Sequence, residues 1–267
     1  MKQSMRMFLV SCMIGMACAV TSCSSEESES AVTAGKGTVR LGMTAGVDFG
    51  VAHTRAVDLA EYQNKNNYTV QIVKSGATTP VKEFTYANMP SMPLELDNGS
   101  YTLKAFYGTE KTSSRNGFRV EGSTTFSVQS NEQAVSVTCA PTCAKAAVVF
   151  DDKMATYFSD YSVVFETVAL ADIGTNVVWK KADTEPWYLL VNKAGEVVKA
   201  TIHFTRKAEY GTVASATVEK TYTLAPNKAW TLKIAPSYES GKLGIGVIID
   251  ESTNDHEVEI TVPSEWI

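Results

Sequence analysis

The sequence has little of what familiar catalytic chemistry needs. Its three histidines, His53, His203 and His256, stand far apart in a chain of 267 residues, too dispersed to compose a site. It has no G-x-S-x-G nucleophile turn, no H-E-x-x-H zinc helix and no Walker phosphate loop. It also lacks a basic stripe. Lys and Arg number 24 against 29 Asp and Glu, for a formal charge of −5, and the cations are scattered. That distribution argues against a nucleic-acid surface. Cysteine is scarce, with five residues in all. Helical periodicity is almost absent, with only a weak hint over Arg55–Asn64. What remains is 44% hydrophobic and 20% charged, a globular composition.

The only long apolar run is at the start. Lys2 and Arg6 precede Met7–Val20, which only Ser11 and Gly15 interrupt, and V-T-S-C follows at Val20–Cys23. The run is too short to span a bilayer and ends in small residues, so residues 1–22 read as a signal peptide. The closing Cys makes V-T-S-C a lipobox pattern, with Cys23 the acylated N-terminus of the mature chain. Each buried CH₂ of such a lipid contributes about 0.8 kcal/mol to anchoring. Residues 23–37, S-S-E-E-S-E-S followed by A-V-T-A-G-K-G, read as a flexible acidic tether. Cys12 and Cys18 leave with the signal and Cys23 carries lipid. Cys139 and Cys143, in C-A-P-T-C, remain as either a small-loop disulfide or two free thiols.

From Thr38 the period is two. Val39, Leu41 and Met43 share a face, as do Tyr68, Val70 and Ile72, and Tyr101, Leu103, Ala105 and Tyr107. Similar runs continue to Val258–Val262, separated by Asn, Gly, Ser and Pro. These predict half-buried antiparallel strands in an all-β body. A phrase recurs within it. L-D-N-G-S-Y-T-L-K at Leu96–Lys104 is echoed by L-A-P-N-K-A-W-T-L-K at Leu224–Lys233. The echo predicts two tandem antiparallel β-sandwiches, 38–140 and 141–267, with Asn98-Gly99 and Pro226-Asn227 as equivalent hairpin turns. Tyr101 and Trp230 would then close equivalent ends of two cores.

Other candidates are sparse. Asp151-Asp152 and Asp250-Glu251 are paired acids near strand ends, readable as calcium ligands or as solvated turn residues. Gly244-x-Gly246 lies in an apolar strand and suits close packing better than phosphate. Trp179 and Trp187 flank K-K-A-D-T-E-P and are candidates for stacking on sugar rings or for core packing. Tyr107 admits the same two readings. No metal or cofactor is expected.

Several ordered pieces carry a family resemblance: G-T-V-R-L near the start, L-E-L-D-N-G-S-Y-T-L-K-A-F-Y-G at Leu94–Gly108, E-G-S-T-T-F-S-V at Glu121–Val128, V-T-C with A-A-V-V-F up to Phe150, F-S-D-Y at Phe158–Tyr161, and G-I-G-V-I-I-D near the end. Together they resemble a Bacteroidota lipoprotein family of unknown function with an all-β body. More distantly, the chain resembles the fimbrillin superfamily of type V pilus subunits, which have two transthyretin-like (Ig-like) domains. That resemblance implies a non-catalytic, lipid-anchored protein of the outer membrane displayed on the cell surface, an adhesin or a pilus accessory or anchor subunit. Its partners would be other pilus subunits or host and bacterial surface glycans and proteins. It also implies maturation by cleavage after an arginine, for which Arg40 and Arg55 are the placed candidates, Arg40 reading also as a plain solvent-face residue of the first strand. A C-terminal segment beginning at His256, in which Val258, Ile260 and Val262 alternate, reads either as a strand donor or as a strand that closes its own sheet. A glycan-binding accessory lipoprotein of a polysaccharide-uptake system is the alternative.

The lipid assignment is directly testable. The acylated mature form should be lost in Cys23→Ala, and a diacylglyceryl N-terminus still found by mass spectrometry of that variant would refute it.

Overall fold

Alternation of apolar and polar side chains dictates strands, and strands dominate. The computed structural model describes residues 35–47, 49, 57–109, 112–168, 170, 177–183, 185–192, 194–210, 215–239, 242–251 and 254–256. The signal segment, Cys23, Arg55 and the tail beyond His256 lie outside these. The strands of the first half are β1 (Lys36–Ala45), β2 (Thr69–Lys74), β3 (Lys82–Thr85), β4 (Leu94–Asp97), β5 (Gly99–Gly108), β6 (Arg119–Val128) and β7 (Glu132–Pro141). Those of the second are β8 (Cys143–Phe150), β9 (Phe158–Glu166), β10 (Val177–Lys180), β11 (Trp187–Leu190), β12 (Glu196–Arg206), β13 (Ser215–Leu224), β14 (Ala229–Glu239), β15 (Lys242–Glu251) and β16 (Asn254–His256). Two short α-helices occur among the described residues, α1 (Leu59–Gln63) and α2 (Met154–Tyr157), beside three single turns of 3-10 helix. The hinted helix is α1, started by Asp58, whose carboxylate accepts from the Ala60 N–H at 3.0 Å.

The sheet orders are β3-β2-β5-β6-β7-β1-β4, β10-β9-β12-β13 and β11-β8-β14-β15-β16. Adding seven to each label turns β3-β2-β5-β6 into β10-β9-β12-β13, and β4-β1-β7 into β11-β8-β14. The strand order therefore repeats, though not through the Thr-Leu-Lys echo. Thr102–Lys104 lies in β5, antiparallel to β2 and β6. Thr231–Lys233 lies in β14, parallel to β8 and antiparallel to β15. The counterpart of β5 is β12 and that of β14 is β7, so the echoed strands are not equivalent. Nor are the echoed turns hairpins. Asp97 ends a strand paired with β1, while Gly99 begins one paired with β2 and β6, so Asn98 is a crossing between sheet segments. The true counterpart of Gly99 is Gly195, just before β12, and both have positive φ, 149° and 84°.

A second correction concerns strand direction. β1 runs parallel to β7 from Thr38↔Glu132 to Ala45↔Cys139, and β8 runs parallel to β14 from Lys145↔Ala229 to Phe150↔Ile234. The sheets are mixed, not wholly antiparallel. Side-chain alternation is the same in both pairings, so the pattern carries no direction.

Two core clusters form. One takes Val39 and Val137 from β1 and β7, and Ile72, Leu103 and Val120 from β2, β5 and β6. The other takes Val148 and Leu232 from β8 and β14, and Phe165, Trp179 and Ile202 from β9, β10 and β12. Each thus draws on two sheet segments, and each buried large side chain is worth roughly 1.5–3 kcal/mol. Tyr101 belongs to the first core at 3% exposure, its hydroxyl donating to the Asp97 carbonyl at 2.8 Å and its ring stacked on Phe126. Trp230 is only partly buried against the second. Tyr101→Ala should therefore cost about 3–5 kcal/mol in urea unfolding, and Trp230→Ala distinctly less. Equal losses would contradict this placement.

Candidate functional site

The loop between β5 and β6 does two things: it ties the halves together and shapes a surface. Ser114 exchanges backbone hydrogen bonds with Tyr188 of β11, at 3.0 and 2.8 Å. The buried Ser113 hydroxyl accepts from the Leu190 N–H at 2.9 Å. Arg115 forks onto Asp183, with Nη1–Oδ1 at 2.8 Å and Nη2–Oδ2 at 2.6 Å. Both side chains are only about a fifth exposed, 21% and 23%, so this pair is less screened than a surface one. Phe118 ends the loop. Its ring stacks on Tyr62 at 4.0 Å and meets Tyr188 at 4.7 Å and Phe49 at 5.1 Å.

That junction decides the tryptophans. Trp179 is 0% exposed, its indole Nε1 donates to the Glu185 carbonyl at 2.9 Å, and its ring meets Phe165 edge-on. It cannot stack on a sugar. Trp187 is half-buried, and the Arg115 guanidinium lies 5.3 Å from its ring centroid. Of the two readings open for this pair, Trp179 takes core packing, whereas Trp187 keeps part of its ring exposed beside Arg115.

The remaining candidates fall elsewhere. Arg40 is on the solvent face of β1, its Nε 2.5 Å from Glu132 Oε1 across the parallel ladder. With both partners about half exposed, that pair adds little stability. Cys139 and Cys143 are free and buried. They sit in β7 and β8 on either side of Thr142, with no disulfide between them. Burial pushes the Cys139 thiol up to about 11 and the Cys143 thiol further. Asp151 behaves as a turn acid, accepting from the Lys153 N–H at 2.8 Å. Among the described residues no group of three or more His, Cys, Asp and Glu could hold a metal ion.

The surface is the outward face of β2, β5 and β6. Two depressions, about 460 and 430 Å³, share a wall made of Phe106 and Arg119. The Arg119 Cζ lies 3.9 Å from the Phe106 ring centroid, and its Nε is 3.6 Å from Glu121 Oε2. Tyr107, Asn67 and Thr69 line the first depression, and Gln71, Lys104 and Ser123 line the second. Gly108 is required here. Its φ is 95°, and a Cβ would lie 2.0 Å from the Phe118 carbonyl oxygen. The signal for this surface was present in the sequence. In S-Y-T-L-K-A-F-Y-G, Phe106 falls on the polar register with Thr102 and Lys104, an aromatic on the wrong face for the core.

The sequence model of a family described as a domain of unknown function, DUF4493, matches residues 35–264. The chain belongs to that family. Among solved structures it is similar to a fimbrial assembly protein from Parabacteroides distasonis, at TM-score 0.43 and 11% identity, covering 85% of this chain and 99% of that one. It is similar to a candidate cell adhesion protein from Bacteroides eggerthii, at TM-score 0.41 and 11% identity, covering 82% and 96%. It is also similar to candidate polysaccharide binding proteins from Bacteroides thetaiotaomicron, at TM-score 0.40 and 7% identity, covering 87% and 99%. No curated relative matches. In this DUF4493 chain, no helix among the described residues is long and apolar enough to cross a membrane.

The Arg115–Asp183 fork gives a prediction for the junction. Arg115→Ala should lower unfolding free energy by about 2 kcal/mol, as for hydrogen bonds to charged groups. A double-mutant cycle with Asp183→Ala should show coupling above about 0.5 kcal/mol. Additive losses in denaturant unfolding would contradict a clamp.

Proposed function

We propose that the chain is a lipid-anchored protein of the outer membrane, displayed on the cell surface and built of two tandem β-sandwich domains. It acts without catalysis as a fimbrillin-like adhesin or as an accessory or anchor subunit of a pilus. Support comes from the lipobox ending at Cys23, the acidic tether, and the seven-strand order that recurs with its own core each time. Partners are other pilus subunits or surface glycans and proteins.

The position of β1 carries the assembly part of this reading. It directly follows the tether and lies between β7 and β4, paired with both. Val39 and Met43 fill the core from it, at 0% and 9% exposure. Removing β1 would leave two unpaired strand edges beside an apolar groove, a template for a strand from another chain. The two candidate cuts differ. Cleavage after Arg40 releases only half the strand, from inside a paired ladder. Cleavage after Arg55 releases the whole strand.

Digestion with an arginine-specific protease, followed by light scattering, tests this. Trimmed protein should form detergent-resistant oligomers while uncut protein stays monomeric. A trimmed protein that remains a stable monomer would remove the pilus role and leave an anchored adhesin. The alternative, a glycan-binding accessory of an uptake system, loses Trp179 but keeps the half-buried Trp187 and gains the depressions beside Phe106.

A further inference from the structure

We infer that the face of β2, β5 and β6 around Phe106 and Arg119 binds a carboxylate-bearing saccharide, such as a uronic or sialic acid unit of a surface glycan. This deepens the adhesin reading by naming a ligand class, and it rests on that reading only for where the ligand is met.

The register builds the surface in rows. Gln71, Lys104 and Ser123 align across the three strands, and Thr69, Phe106 and Glu121 form the next row. Gly108 and Arg119 form the last. Arg119 lies back from its own row over the Phe106 ring at 3.9 Å. Its side chain is only 22% exposed, so its rotamer is already restricted. A ligand that meets it does not have to order it, which removes one cost of binding.

The unpaired edge of one guanidinium selects an anion. Among the described residues, Arg119 has two partners: the Phe106 ring and a 3.6 Å contact from Nε to Glu121, too long for a hydrogen bond. Nη1 and Nη2 make no hydrogen bond there. Lys104, one row away, makes no ion pair among the described residues. Arg119 and Lys104 thus share this face with Glu121 and with Glu83, which is held by the Gln71 amide, and the guanidinium fork is free to take a planar carboxylate in two parallel hydrogen bonds.

The other groups select a sugar. Asn67, Thr69, Ser123 and the Gln71 carbonyl offer donors and acceptors suited to hydroxyls; the Gln71 amide is spent on Glu83 at 2.8 Å. Phe106 and Tyr107 give apolar faces beside them. Two depressions of about 460 and 430 Å³ share one wall, which suits neighbouring units of a chain that crosses the ridge with its carboxylate at Arg119.

Isothermal titration of the purified protein with tetragalacturonate, sialyllactose and neutral cellotetraose tests the assignment. At least one acidic sugar should bind, about tenfold or more tighter than cellotetraose, and should weaken as NaCl rises. Lys104→Ala should weaken binding roughly tenfold, about 1.4 kcal/mol. Arg119→Gln should weaken it at least as much, and Arg119→Lys should not restore it, because the fork is lost. Lys104 is exposed, so its variant decides the matter if either Arg119 variant unfolds. Binding of neither acidic sugar, equal binding of cellotetraose, or unchanged affinity in Lys104→Ala would overturn the assignment. Surface display and assembly are read by separate experiments, so either conclusion can fail alone.

Discussion

The packing of Phe118 between Tyr62 and Tyr188 holds together what a short connection alone would leave loose. Only Thr142 separates β7 from β8, and one residue cannot by itself fix two bodies. The ring contacts at 4.0 and 4.7 Å, with Phe49 closing the cluster, join the first core to a strand of the second half. Each aromatic pair adds about 0.5–1.5 kcal/mol beyond the area it buries. The polar clamp at Ser113, Ser114 and Arg115 adds hydrogen bonds to Leu190, Tyr188 and Asp183 and satisfies part of the edge of β11. The same packing reaches the surface. Phe118 precedes Arg119, and its carbonyl sits against Gly108, so the ring cluster fixes the strand ends from which Arg119 leans over Phe106.

The second half also buries a cation at this junction. Lys145 in β8 pairs in register with Tyr188 on one side and Ala229 on the other, and is 2% exposed. Burial lowers its pKa from the ordinary lysine value. Its neighbours in register, Tyr188 and Ala229, belong to the first core. The outward face of the β11-β8-β14 segment is therefore an internal surface of the molecule, which a period-two pattern alone would assign to solvent.

Much of the fold was legible in the sequence, for a physical reason. Strand alternation records which face is buried, and Val39, Ile72, Leu103 and Ile202 are all core as the pattern implies. Alternation does not record pairing partners. The parallel ladders β1–β7 and β8–β14 join residues far apart in the chain, and nothing local encodes them. The Thr-Leu-Lys echo misled because two unrelated strands can share a polar-apolar cadence, whereas the true repeat lies in strand order. Of the candidate site, Tyr107 was flagged and Phe106 was visible as an aromatic out of register. Arg119 was not, because its value comes from lying over a ring on the neighbouring strand. For Trp179 the sequence left stacking and core packing open, because its flanking loop carries no signal of how it folds; the structure places the ring in the core.

The proposed assembly strand and the proposed ligand face fall on different parts of the first half. The removable strand β1 lies with β4 and β7, whereas the Phe106–Arg119 face lies on β2, β5 and β6. Loss of β1 would leave the pairings of β2, β5 and β6 with one another in place, so the two proposals do not compete for the same strands. Display outside the cell is the claim on which both uses depend. Labelling intact cells with a membrane-impermeant amine-reactive biotin, then mapping modified lysines by mass spectrometry, tests it most directly. Surface display predicts modification of the exposed Lys104 and protection of the buried Lys145. Modification of Lys104 only after the cells are broken would contradict it.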